Sequence, residues 1–574
     1  MASAINILVG ELDTPIQEEI SLPLQKKCIG LLENSPGNRY GFLFDTLGQL
    51  YPVEFRRISS DDHNGLDAVI ALDGNIAAGL AAAANGLPVL VFGKECERRA
   101  VNGSQPVRFG ETEDLTACLR NQVMTEKQDT GGCSIAVEAG DQIFASRAAG
   151  PVWVNRPGGL GSCQLAGVPP PSLVEGEHLF EHFNGRRFMG LLPLMHFLRQ
   201  VVKDVDWQCP ATRACFVFDD PSLYWRSYGF LNYCALAAHS IKHNYFASVA
   251  TIPLDAWWAN GRVVETLRSC HPRISLLIHG NNHTCGELVS QRNGATPLAI
   301  AAQALQRIER FERRHGVSVS KIMEAPHGAF GKSFYAPLLA LNYEAALTGT
   351  ELLVKHNPQT VWPAGVGMDM SEILGGGLPV LPRIKMSVDW KNEVLLAAFL
   401  GQPIVLVGHH TDAADQLQVL AEFAGVINSL PAATWASPQD IARSNYKQFR
   451  RRNALYLKLY SRAVHVVVPE GVNEVFIHLP RVGTDGAGET LVIKNHGEEL
   501  LRVTGHEVIG PVSVSAGQAL DISSLAEIQV DFRSVKPSGA RCWPVARKVM
   551  MEIRDRSAPL RRRVQRTFHL GKEN

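Results

Sequence analysis

The sequence lacks the features that mark several common classes of protein. No segment has ~18 consecutive apolar residues, which argues against a membrane-spanning helix. The N-terminus has no basic leader, long apolar region or small-residue cleavage site. Residues 5–9 instead have the pattern of a strand, which predicts a cytoplasmic chain. The 11 cysteines form no C-x-x-C pair, and such a scattered, odd-numbered set is typical of free thiols in a reducing compartment.

Net charge is also absent, because 56 basic residues balance 56 acidic ones over 574 residues. The composition therefore gives no reason to expect a nucleic-acid or membrane partner. The balance fails only at the C-terminus, where residues 541–574 carry ten Lys or Arg against three acids. Residues 539–574 are predicted to be a solvated, partly disordered basic tail. Contact with an anionic polymer, lipid head group or protein partner is the alternative.

Three regions are predicted to be accessory to the chemistry. Residues 1–125 alternate strand and helix patterns, which predicts a small α/β domain, and no complete G-x-G-x-x-G favours a nucleotide site there. Residues 126–205 are rich in Gly and Pro and are predicted to be a linker with short strands and a lead-in helix at 186–202. Residues 446–538 show short alternating strands, the last at 526–532, which predicts an antiparallel β-sandwich.

Residues 206–445 carry the strongest pattern of the chain. Seven short apolar strands alternate with helices, of which 296–316 is the clearest. This pattern predicts an α/β fold, an irregular (β/α) barrel. In such barrels the functional side chains lie at the C-terminal ends of the strands, so polar residues at those positions are candidates for a site.

Two strand ends carry the most specific candidates. The run RACFVFDD ends in Asp219 and Asp220, and buried carboxylates are costly unless they meet a cation or several donors. An N-cap explains one of the two acids but not both. In LLIHGNNH, the four-residue spacing of His279 and His283 lets two imidazoles share one cation, although satisfied surface histidines show the same spacing. Together they predict a metal site in which one Asp is a ligand and the other takes a proton from water.

Further polar and aromatic residues follow the remaining strands. A histidine at a late strand end, His409 or His410, can protonate a leaving group. Aromatic residues after the first strand, Tyr224 and Trp225, stack on a sugar ring or pack in the core. The accessory candidates at the other strand ends are His327, Arg383, Asp389 and Trp390.

The order of these motifs resembles the polysaccharide deacetylase superfamily, the NodB-homology type of carbohydrate esterase, over roughly residues 210–445. The resemblance implies a divalent metal, most commonly zinc, held by Asp220, His279 and His283. It implies Asp219 as the general base and His409, or else His410, as the acid. One position departs from the family: Glu324 stands where an Arg normally orients the base, and Arg383 is the candidate replacement.

These inferences predict a metal-dependent hydrolase that removes an N-acetyl or other acyl group from an amino sugar or glycan. Two alternatives stay open at this point. One is a metal-dependent hydrolase of a non-carbohydrate amide, and the other is a non-catalytic barrel that binds glycans. The N-terminal and β-sandwich regions are candidates for binding substrate or for forming a homo-oligomer.

Overall fold

The computed structural model describes residues 25–33, 39–59, 63–74, 76–93, 104–127, 131–158, 161–269, 273–289, 296–479, 490–504, 508–537 and 542–570. The strand predicted at residues 5–9 lies outside these ranges. Within them, no helix combines the length and the apolar character needed to cross a bilayer. The chain is a mixed α/β protein whose central sheet is strongly curled, as predicted.

The N-terminal region is built on one nine-stranded sheet in the order β2-β1-β3-β4-β9-β8-β7-β5-β6. Strands β1 to β4 are parallel and β9 joins β4 in parallel, whereas strands β5 to β9 pair with one another in antiparallel fashion. Its elements are β1 (Lys27–Leu32), α1 (Gly41–Leu50), β2 (Val53–Arg57), β3 (Ala68–Ala71), α2 (Ile76–Ala84), β4 (Val89–Phe92), β5 (Gln105–Phe109), β6 (Val123–Glu126), β7 (Gln142–Arg147), β8 (Gly150–Gly158), β9 (Gly161–Ala166), α3 (Leu179–His182) and α4 (Leu192–Val201).

This sheet corrects the prediction of a linker at 126–205. Strands β7, β8 and β9 belong to the same sheet as the first 125 residues, and β9 pairs directly with β4. The glycines that suggested a linker instead lie where two long antiparallel strands turn back, since Gly158 pairs with Gly161. The helix predicted at 186–202 is shorter and begins at Leu192.

The middle region forms a ring of parallel strands in the order β18-β16-β15-β14-β13-β10-β20-β19. Its elements are β10 (Arg213–Asp219), β11 (Ser227–Tyr228), β12 (Leu231–Asn232), α5 (Tyr233–Lys242), β13 (Ala247–Thr251), α6 (Gly261–Ser269), β14 (Ile274–His279), α7 (Pro297–His315), β15 (Val319–Glu324), α8 (Tyr335–Ala340), β16 (Ala345–Thr348), α9 (Thr350–His356), β17 (Glu372–Leu374), β18 (Leu378–Pro382), β19 (Ile384–Lys385), α10 (Trp390–Leu400), β20 (Ile404–Gly408), α11 (Gln418–Asn428), β21 (Thr434–Trp435) and α12 (Pro438–Arg443).

One segment links the two ends of this ring. Strand β18 pairs with β16 on one side, and β19, which follows it after a single residue, pairs with β20 on the other. That single residue is Arg383. The interior of the ring is filled by apolar side chains at alternate positions of each strand, such as Val217, Leu277 and Leu381. Side chains alternate between the inside and the outside of the ring along each strand. The next inward-facing side chain at the C-terminal end of each strand therefore points toward a common centre.

The C-terminal region contains two four-stranded sheets, β22-β23-β25-β28 and β24-β29-β26-β27, that share one apolar core. Their strands are β22 (Tyr446–Arg451), β23 (Ala454–Leu459), β24 (Ala463–Val467), β25 (Glu474–His478), β26 (Thr490–Asn495), β27 (Glu498–Thr504), β28 (Val508–Ser513) and β29 (Ala519–Leu525). The strand predicted at 526–532 is wrong. The final strand is β29, and Val530 and Phe532 instead pack on the large core cluster of the middle region.

The predictions of a partly disordered C-terminal tail and of free thiols at all cysteines are also wrong. Residues 542–570 are not a disordered tail but two helices, α13 (Cys542–Arg556) and α14 (Ala558–Leu570). Their charged side chains contact the barrel, which explains why a basic segment is ordered. Of the cysteines in the described ranges, seven are free thiols, but Cys133 is disulfide-bonded.

Candidate metal centre

The site lies in the topmost inward-facing layer of the barrel. Each of five strands places a polar residue two positions after its last inward-facing apolar residue, so all five side chains project toward the same centre. Register supports this arrangement: His279 pairs with Glu324 across adjacent strands, and Phe218 pairs with Gly408. The five residues are Asp219, His279, Glu324, Arg383 and His409.

Asp220 joins this layer because the backbone turns sharply after β10. Its φ is 79°, in the left-handed region that non-glycine residues rarely adopt. His283 and His327 also have left-handed φ values, 55° and 57°. Such conformations cost about 1–3 kcal/mol each and are concentrated at functional sites. The strain therefore falls on three residues that surround one point.

The loop between His279 and His283 is held by a carboxylate that the sequence analysis missed. The buried Glu287 accepts hydrogen bonds from the backbone N–H groups of residues 281, 282 and 283 at 2.8–3.1 Å. Gly280 permits this turn, because a Cβ there would lie 2.5 Å from Pro326 and 2.7 Å from Glu287. Since the donors are backbone groups, the only sequence signal for Glu287 is an acid four residues after His283.

Asp220, His279 and His283 meet as the metal triad would require. Asp220 Oδ1 lies 2.8 Å from His283 Nε2 and 3.4 Å from His279 Nε2, and all three residues are buried. Despite these short distances, neither Asp220 Oδ1 nor His279 Nε2 makes a hydrogen bond of good geometry to any described residue, although burial makes unpaired polar atoms costly. One carboxylate and two imidazoles are a typical ligand set for a catalytic divalent metal. Burial alone would raise the pKa of Asp220, but the two nearby imidazoles outweigh it and hold that pKa well below its ordinary value.

The second acid, Asp219, lies beside an arginine from the segment that joins β18 to β19, two strands away in the sheet. Arg383 Nη1 is 3.3 Å from Asp219 Oδ2 and also contacts Glu324 Oε1. Burial first, and then the charge of Glu324, raise the pKa of Asp219 well above its ordinary value. Asp219 Oδ1 has no hydrogen-bond partner. The structure thus brings Arg383 to Asp219, and Glu324 contacts the same guanidinium.

His409 and His410, which follow β20, have different surroundings. His409 Nε2 lies 3.9 Å from Asp220 Oδ2, and its side chain is about half exposed. His410 is buried, with its Nε2 3.7 Å from Asp555 Oδ1 of α13 and its ring 5.4 Å from that of Tyr228. The exposed His327 borders the centre, its ring 4.8 Å from that of His283. Of the pair, His409 is therefore the one at the metal triad.

Four other candidates lie further from the triad. Asp389 pairs with Lys127 and, at 3.3 Å, with Arg186, and Trp390 packs on Phe423; none of these contacts involves the triad. Tyr224 packs against Trp257, with ring centroids 5.5 Å apart. Trp225 is largely exposed, with the Arg556 guanidinium 5.7 Å from its ring.

Helix α13 supplies contacts that the sequence analysis did not assign to the site. Arg547 donates to the carbonyl oxygen of His283. Lys548 pairs with the buried Asp255 at 2.7 Å, and its Nζ lies 3.5 Å from the carbonyl oxygen of Asp220. Asp555 accepts a hydrogen bond of 2.7 Å from the Tyr228 hydroxyl. The helix forms one wall of the site, while exposed His327 and His409 mark its open side.

Comparisons with known proteins give partial likenesses only. No family model matches the sequence, and no curated protein matches it. A Mycobacterium smegmatis protein described as a polysaccharide deacetylase is 19% identical, with a TM-score of 0.31, over 42% of this chain and 93% of that chain. A family 4 carbohydrate esterase from Streptomyces lividans is 12% identical (TM-score 0.24; 40% and 93%). A Thermoplasma acidophilum protein described as a GMP synthase subunit is 14% identical (TM-score 0.23; 31% and 95%). Likenesses of this size do not establish a family.

Proposed function

We propose that this protein is a metal-dependent hydrolase that removes an N-acetyl or other acyl group from an amino sugar or glycan. The observation that carries the proposal is the buried triad of Asp220, His279 and His283, whose unpaired ligand atoms converge beside a second acid. A divalent metal, most commonly zinc, held by this triad would polarise an amide carbonyl and lower the pKa of water.

Asp219 is the proposed general base. Its Oδ2 is held by Arg383, while its Oδ1 has no hydrogen-bond partner and is available to accept a proton from the attacking water. Arg383 acts as a positioning residue, because it fixes the carboxylate without touching the substrate. Glu324 contacts the same guanidinium and so helps to place it.

His409 is the proposed general acid. It is the histidine near Asp220, and its partly exposed side chain lies on the open side of the site where a leaving amine would depart. His410 is instead enclosed between Asp555 and Tyr228, so its proposed role is to hold the wall of the site.

Exposed aromatic rings favour a sugar over a small amide as the substrate. Trp225 and Trp257 are 60% and 66% exposed, and both follow the C-terminal ends of barrel strands, as the triad does. Flat apolar rings with one open face suit the apolar face of a pyranose. Tyr224 lies against Trp257 and fixes its orientation.

Metal analysis of the purified protein tests the proposal. We expect about one equivalent of divalent metal per chain in the wild type and in His465→Ala, a control at an exposed histidine of β24. Asp220→Ala and His283→Ala should lose the metal, and with it the release of acetate from N-acetylated glycans. Equal metal content in all four proteins, or no metal in any of them, contradicts the proposal.

A further inference from the structure

Helices α13 and α14 carry an exposed apolar stripe, which we define as Trp543, Met550, Ile553, Leu560 and Val564. Their spacing of seven, three, seven and four residues follows the helical repeat. The first four are 63%, 54%, 66% and 65% exposed, and Val564 is 46% exposed. Large apolar side chains that are exposed singly are ordinary, but a continuous row of them marks a binding surface.

The orientation of α13 is the reverse of the usual one for an amphipathic helix. Such a helix normally turns its apolar side to the core and its charges to water. Here Lys548 and Asp555 are buried against the barrel, whereas Trp543, Met550 and Ile553 face outward. The charged contacts fix this orientation, because turning the helix over would break the buried Lys548–Asp255 pair. The packing of α13 against the middle region therefore leaves the apolar stripe exposed to solvent.

The exposed charges beside the stripe are all positive within the described part of α13 and α14. Arg554 follows Met550 by four residues and so lies on the same face. Arg561 and Arg563 lie between Leu560 and Val564 and are also exposed. The acids of this segment are already paired: the buried Asp555 accepts two hydrogen bonds from Arg554, at 2.5 and 3.1 Å, and Glu552 pairs with Arg556 at 2.6 Å.

We propose that the apolar stripe and its arginines dock this protein on an anionic lipid surface. An outward apolar row with exposed cations beside it is the pattern of helices that lie in the plane of a membrane interface. Each arginine near an anionic surface contributes about 1 kcal/mol. A protein partner or a second copy of this chain would explain the apolar row, but neither specifically requires charges of one sign.

Sedimentation with lipid vesicles tests the docking on the full chain. We expect the wild type to sediment with vesicles of phosphatidylcholine and phosphatidylserine, and much less with phosphatidylcholine alone. Replacing three stripe residues (Met550→Ser, Ile553→Ser and Leu560→Ser) should weaken binding by at least roughly tenfold, since each side chain loses part of ~1.5–3 kcal/mol of burial. A control, Val361→Ser with Val388→Ser, removes apolar side chains elsewhere that are even more exposed, and should bind as the wild type does.

The arginines provide a second, independent arm. Arg561→Gln and Arg563→Gln together should weaken binding to the anionic vesicles by roughly 30-fold and leave the residual binding to neutral vesicles unchanged. Metal content in every variant reports whether the barrel is intact. The proposal is overturned if the wild type stays in solution with both lipids, if the stripe variant binds equally well, or if the stripe proves to join two copies in light scattering.

Discussion

Two buried carboxylate–arginine contacts show how similar chemistry serves different ends in this protein. In the N-terminal sheet, Glu126 pairs with Arg147 at 2.5 Å, and its other oxygen accepts two backbone N–H bonds of 2.9 Å. In the middle region, Arg383 contacts Asp219 and Glu324, and the second oxygen of Glu324 contacts His279 Nδ1. Both of the Glu126 oxygens are used internally, whereas Asp219 Oδ1 has no hydrogen-bond partner among the described residues. Burial of charge alone therefore does not identify a site; at Asp219 the unpaired oxygen lies beside a cluster of possible metal ligands.

Substitutions in the two contacts should differ most in their effect on kcat/KM. Asp219→Asn should lower kcat/KM for acetate release by roughly 10³-fold, because an amide cannot accept the proton that the carboxylate takes. Its metal content should stay that of the wild type, since Asp219 is not in the proposed ligand triad. Glu126→Gln, the matched change in the N-terminal sheet, should leave kcat/KM unchanged. Full activity in Asp219→Asn would show that another group is the base.

Removal of Arg383 should affect both catalysis and stability. Arg383→Met leaves the buried Asp219 without the arginine and Glu324 with His279 alone, which costs about 3–5 kcal/mol of unfolding free energy. It should also lower kcat by roughly 100-fold, within the range of general-base effects, because Asp219 is no longer held. Arg383→Lys keeps the charge but not the planar fork, so it should recover stability more than kcat. Equal recovery of both quantities would mean that Arg383 has only a structural role.

The matched change in the N-terminal sheet should affect stability alone. Arg147→Met leaves Glu126 buried with its two backbone donors but without its cation, so we expect a loss of about 3 kcal/mol of unfolding free energy. Chemical denaturation measures this loss. The kcat and metal content of the variant should equal those of the wild type, and a loss of metal would indicate that the two regions are coupled.

The strands of the curled central sheet could be predicted from the sequence because their signals are local. Apolar runs with polar ends gave the strands, and the period of two along a strand explains why Asp219, His279 and His409 share one layer. Arg383 was only a candidate, since its place beside Asp219 depends on how the segment between β18 and β19 closes the ring. No local pattern encodes that closure.

The parts that were predicted wrongly depend on distant contacts. The segment 142–166 joins the sheet only because β9 finds β4, about 70 residues earlier in the chain. The tail 539–574 was interpreted from its charge, and its order comes from pairs such as Lys548–Asp255 that the sequence does not reveal. A signal was nevertheless present in the helical spacing of Trp543, Met550 and Ile553.

The smallest expected effect is a pH dependence of the stability of the N-terminal region. His196 is buried in the N-terminal region against Trp153, and burial lowers its pKa to about 3. In the unfolded chain that pKa is about 6.5, so the unfolded state binds the proton first as the pH falls. The contribution of His196 to the free energy of unfolding is complete above pH ~6.5, the unfolded pKa, and is lost as the pH falls toward the folded pKa of about 3. At pH 5 the loss is about 2 kcal/mol. His196→Phe should remove this dependence from amide exchange at residues 142–166, because a phenylalanine ring does not titrate. Because His196 lies outside the candidate metal centre, the wild type and His196→Phe should have the same pH profile of kcat. A shifted profile in the variant would show that the N-terminal region and the candidate site are not independent.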